Sequence, residues 1–83
     1  MSPKQRLRNG NRFPYDASDE WWDGDGRNTP SPTDWAISAA RGVIYDLQNR
    51  VKIKYGFDDI EEAVRVEIVT TLAAIIRAAR GEK

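Results

Sequence analysis

Residues 58–80, DDIEEAVRVEIVTTLAAIIRAAR, carry a start and a stop for a helix with a broad apolar face between them. At about 100° per residue, Ile60, Val64, Ile68, Leu72, Ile75 and Ala79 fall on one side of the cylinder. Val69 and Ile76 widen that side to roughly half the circumference. Asp58 with Glu61, or Asp59 with Glu62, provides a capping box, and the acids of the first turns match the positive end of the macrodipole. Arg77 and Arg80 favour the opposite end, and Gly81 stops the helix.

Working outward, a second helix is predicted from about Pro32 to about Lys52. Ser31 stands as N-cap, Pro32 at the first helical position and Asp34 at N3. Ile37, Ala40, Ile44, Leu47 and Val51 repeat at spacings of three and four, the seam of paired helices, with Ala36 and Val43 beside them. Arg41, Tyr45, Gln48 and Asn49 fall on the other side, and Trp35 projects off the seam toward the N-terminal aromatic residues. Gly42 lowers helix propensity by up to about 1 kcal/mol and lets another backbone or a ring approach. VKIKYGF, residues 51–57, is read as a fraying helix end and a turn with Gly56 as its stop, because a lone strand has no partner. Two helices with a short connection lie antiparallel.

Residues 1–30 show neither a helical nor a strand period, and Gly10, Pro14, Gly24, Gly26 and Pro30 interrupt them. The expectation is an irregular arm, residues 1–30, followed by a helical hairpin, residues 31–83. Phe13, Tyr15, Trp21 and Trp22 lie within ten residues of each other. Such rings either fold back to close a small core or anchor a partner, since Trp, Tyr and Arg dominate interface hot spots. The partner-binding set is Phe13, Tyr15, Trp21, Trp22, Asp23, Asp25, Arg27 and Trp35.

The chain has 83 residues, with 13 basic and 13 acidic side chains and neither cysteine nor histidine. Thiolate or imidazole catalysis, disulfides and Cys/His zinc sites are thereby excluded. So small a chain buries a modest fraction of its surface, and assembly is the expected source of further stability. The predicted fold is all-α, an antiparallel two-helix hairpin with an aromatic-rich arm, completed by oligomerisation into a helical bundle. Val64, Ile68, Val69, Leu72, Ile75 and Ile76 are the expected oligomer interface.

No apolar run is long enough to span a bilayer, and residues 1–9 do not resemble a secretion signal, so a cytoplasmic protein is expected. Asp23-Gly-Asp-Gly-Arg-Asn opens like a calcium loop with Asp34 at its twelfth position, but Arg27 and Asn28 break the pattern, and an Asp/Gly turn is preferred to a metal site. Glu61, Glu62 and Glu67 are cap and dipole partners before they are acid–base groups. With no Walker loop, nucleophile elbow or dinucleotide fingerprint, neither an enzyme nor a cofactor is expected. The segment from Thr29 to Thr33 beside Arg27 is a candidate anion site. Duplex nucleic acid is disfavoured by a pI of about 6.2.

The sequence AARGVIYDLQNRVKIKYGF…IEEAVRVEIVTTLAAIIRAA, within residues 36–80, resembles small helical accessory proteins encoded by bacteriophages and prophages. The resemblance implies a phage accessory protein, a class that includes inhibitors of host defence acting by binding. The expected function is a non-enzymatic interaction protein that binds and blocks or modulates a host macromolecule. A nucleotide- or anion-sequestering protein and a structural subunit of a virion or larger assembly are the alternatives.

Overall fold

The computed structural model describes residues 2–24, 27–32, 34–50, 57 and 59–81. These residues are mostly helical, with no strand among them, and the helices in chain order are α1 (Pro3–Arg12), α2 (Asp19–Asp23), α3 (Trp35–Gln48) and α4 (Glu62–Arg80). The N-terminal segment expected to be irregular therefore contains two of them.

Helix α1 begins with a complete capping box. Ser2 Oγ accepts from the Gln5 N–H at 3.2 Å, Gln5 Oε1 accepts from the Ser2 N–H at 2.8 Å, and Pro3 occupies the first turn. Its inward stripe is Pro3, Leu7 and Gly10, and Gly10 is buried against α3. A Cβ at Gly10 would lie 2.4 Å from the Arg41 carbonyl oxygen and 2.7 Å from Gly42 Cα. On the facing helix, a Cβ at Gly42 would lie 3.1 Å from Leu7 Cα. The room left at Gly42 is thus filled by the backbone of α1. Two helices cross here at a distance that only glycine permits. Asn11 fastens the crossing by donating to Ser38 Oγ at 2.8 Å, and Arg6 pairs with Asp46.

Helix α3 is the element on which both α1 and α4 pack. Its N-cap is Asp34, whose side chain accepts from the Ile37 N–H at 3.0 Å, so the helix begins three residues later than the Ser31 cap implied. Ala36, Ala40 and Ile44 point into a core completed by Tyr15, Val69 and Ala73. Ile37, Phe57, Ile68, Leu72 and Ile76 pack around it. Arg41, expected on the outward side, is 4% exposed. Its guanidinium binds the Asp16 carboxylate at 2.8 Å and the Pro30 carbonyl at 2.7 Å, and so pins both loops to α3. A buried cation is tolerable only with such partners.

Helix α4 also starts late. Its N-cap is Glu61, which makes no side-chain cap bond, so the Asp59–Glu62 capping box does not form; Asp58 lies outside the described residues. Its end is as expected, with Gly81 in the left-handed region at φ 91° and Arg77 and Arg80 in the last turn. Arg77 pairs with Asp34, joining the end of α4 to the start of α3. Arg80 lies 4.8 Å above the Trp35 ring, so Trp35 meets a guanidinium at this point and not the N-terminal aromatics. The proposed stop at Gly56 lies outside the described residues. A radius of gyration of 12.4 Å is close to the roughly 12 Å of a compact chain of this length. No described helix is long and apolar enough to cross a membrane.

Candidate functional site

Helix α2 is too short to persist alone, and its position is set by side chains at both ends. Ser18 Oγ accepts from the Trp21 N–H at 3.1 Å, and Glu62 reaches from α4 to accept from the Asp19 N–H at 2.8 Å. These bonds satisfy donors that a helix start leaves open. Arg65 clamps the same turn to α4. It donates to the carbonyls of Tyr15 at 3.1 Å, Ala17 at 3.3 Å and Ile60 at 2.8 Å, and to Asp19 Oδ1 at 2.6 Å.

A cleft of about 280 Å³ opens beside this clamp, lined by Tyr15, Asp19, Trp22, Gln48, Phe57 and Arg65. Its floor is aromatic. Tyr15 is 3% exposed, meets the Phe57 ring edge-on at 5.5 Å and donates from its hydroxyl to the Phe57 carbonyl at 3.0 Å. Trp22 forms the rim and is 42% exposed. Its ring is held at 83° to Trp21 with centroids 4.8 Å apart, and Trp21 Nε1 donates to the Arg27 carbonyl at 3.2 Å. The exposed tryptophan therefore stands in a fixed orientation, with Glu20 and Asp23 exposed on the same short helix.

Of the residues expected to bind a partner, the structure brings together Tyr15, Trp21, Trp22 and Arg27. Tyr15 is a core residue that also lines the cleft, which corrects its place among exposed partner-binding residues. Phe13 caps α1 and is exposed beneath the Arg12 guanidinium, 5.6 Å from its ring centroid. Neither Phe13 nor Trp35 lines the cleft. Asp25 lies outside the described residues.

Sequence reasoning missed Asp19, Gln48, Phe57 and Arg65. Arg65 had a signal: it stands four residues before Val69 and eight before Ala73, on the side of α4 that turns inward, where a cation needs several acceptors.

The expected oligomer interface divides. Val69 is sealed in the core of the single copy, so it cannot serve as an interface residue, and Ile68, Leu72 and Ile76 pack against that core. Val64 and Ile75 remain exposed.

The anion position at the start of α3 holds the chain's own Asp34 carboxylate. Hydrogen bonding from the Ile37 N–H, and then the Arg77 guanidinium, keep that carboxyl below the usual aspartate range. Of the helix-start acids, Glu62 caps α2 while Glu61 and Glu67 face solvent.

The cleft is lined by three aromatic rings, one carboxylate, one amide and one guanidinium. Its volume lies just under the roughly 300–1,000 Å³ of small-molecule pockets. The guanidinium in its wall is already engaged by four acceptors. No protein family, curated protein or solved structure matches this chain.

Proposed function

We propose that this protein acts by recognition without catalysis, as a phage-type interaction protein that docks through α2 on a host protein in the cytoplasm and blocks or modulates it. The observation that carries this reading is Trp22, a half-exposed indole braced by Trp21 at the rim of an aromatic-floored cleft. A fixed indole loses little conformational entropy on binding, and tryptophan is among the strongest interface anchors. The small cleft and the engaged Arg65 favour a protein side chain over a nucleotide. The resemblance to phage accessory proteins supports a host partner.

The test is affinity capture from a host lysate with wild-type protein, W22A and F13A. W22A retains the wild-type circular dichroism but weakens capture by about 30-fold or more, the loss of one hot-spot side chain. F13A captures normally. Equal capture by W22A would remove the reading.

Self-association is a second element of the proposal. It is favoured by Ile75, which is 58% exposed on α4, and by Val64, which is 43% exposed.

A further inference from the structure

Helix α1 carries Lys4, Arg6, Arg8 and Arg12 and no acid, and the first acid of the chain is Asp16. Arg6 is matched by Asp46 of α3. The other three cations stand on the outward side. At about 100° per residue, Lys4, Arg8 and Arg12 fall within an arc of about 80° opposite the buried Gly10, in a row about 12 Å long. All three are exposed, and none makes an ion pair among the described residues.

This arrangement works against the helix that carries it. Lys4–Arg8 and Arg8–Arg12 are like-charge pairs at i,i+4, and Lys4 stands in the first turn, at the positive end of the macrodipole. No acid among the described residues offsets these repulsions. A local rule broken without a structural gain is where function is to be sought. The acids of the N-terminal segment stand instead on α2, which Arg65 clamps to α4. A chain of zero net charge thus presents one face on which all the charges are positive.

At the C-terminal end of the row, Phe13 is 44% exposed and lies 5.6 Å from the Arg12 guanidinium. A ring beside a guanidinium is a platform on which unpaired bases stack. We infer that the outward face of α1 binds single-stranded nucleic acid, with phosphates along Lys4, Arg8 and Arg12 and one unpaired base on Phe13. Successive cations are about 6 Å apart along the axis, so a flexible strand can meet them in turn.

The same face suits other anions less well. A duplex hides its base faces from Phe13. A membrane surface calls for apolar side chains on the docking face, and those of α1, Pro3 and Leu7, lie on the α3 side. Carboxylates of an acidic protein segment would satisfy the cations but leave the ring unmatched. The site is separate from the α2 docking surface and stands or falls without it.

The test is fluorescence anisotropy of a labelled oligothymidylate of about 12 nucleotides, titrated with the full chain from low salt upward. Three phosphate contacts on a single strand give log K against log salt a slope of about −2. R8Q makes the slope shallower, about −1.4. It keeps the wild-type circular dichroism and melts no lower, because it removes two repulsions. F13A weakens binding at least about fivefold at an unchanged slope. W22A binds as the wild type does, and a duplex of the same length binds more weakly than the single strand.

Absence of binding up to about 1 mM protein at low salt overturns the inference. So does wild-type binding by both R8Q and F13A. An oligoglutamate that competes as well as unlabelled oligothymidylate also overturns it, in favour of an acidic protein segment. A loss with W22A as large as that with F13A would move the contact to α2 and overturn the assignment to α1.

Discussion

Replacing Gly10 by alanine tests whether α1 belongs to the folded unit, because the sign of the effect differs between the two cases. On an exposed helix the substitution stabilises by about 0.5–1 kcal/mol, since alanine is the better helix former. In this structure the added Cβ would stand 2.4 Å from the Arg41 carbonyl oxygen and 2.6 Å from its carbon. Ordinary contact begins at 3.4 Å, and the obstructing atoms are backbone, so α1 must retreat by about 1 Å. Forcing atoms into a filled interface costs about 1–3 kcal/mol. The retreat also stretches the Asn11–Ser38 hydrogen bond, worth about 1 kcal/mol. After the gain in propensity, a net loss of about 2 kcal/mol remains. For a domain of this size that lowers the melting temperature by roughly 8–16 °C. Thermal and urea unfolding followed by circular dichroism and tryptophan fluorescence measure it. G42A follows with a smaller loss, because its Cβ would stand 3.1 Å from Leu7 Cα. A G10A protein as stable as the wild type, or more stable, would refute the crossing.

The remaining predictions concern the polar pins and the cleft. R41A leaves the Asp16 carboxylate and the Pro30 carbonyl without their buried donor and lowers the unfolding free energy by about 3 kcal/mol in urea titration. Y15F loses the bond to the Phe57 carbonyl and costs about 1 kcal/mol by the same measurement, without change in the circular dichroism. Asp34 has a folded-state pKa below its unfolded value, so its contribution is complete above the unfolded value and disappears as pH falls through the folded one. The stability difference between wild type and D34A is accordingly constant near neutrality and shrinks below about pH 4. An unchanged difference in acid would show that the carboxylate contributes nothing as an ion.

The sequence made the two long helices readable because their apolar residues recur at spacings of three and four, and because Gly81 and the arginines of the last turn mark an end. Their starts were misread where one good cap competed with another. Ser31-Pro32 has the grammar of a helix start, but Asp34 takes the N-cap position, where its carboxylate also meets Arg77. Helix α1 was invisible to hydrophobic periodicity because its inward stripe is anchored on Gly10, not on an aliphatic residue. It docks by close backbone approach with little greasy area. Its Ser2–Gln5 capping box was nonetheless present in the letters. The tryptophan pair was legible from ring area alone. Phe57 reaches the cleft from far along the chain, through packing that local sequence does not encode, whereas Arg65 was marked by its place on the inward side of α4.

Residue-resolved native-state hydrogen exchange tests the central claim most directly, namely that the N-terminal segment is built into the fold and presents α2 in a fixed place. The amides from Leu7 to Phe13 should exchange with the same opening free energy as the interior amides of α3, since α1 can be freed only by breaking the glycine crossing. Exchange of Leu7 to Phe13 at unprotected rates, while α3 and α4 remain protected, would contradict it.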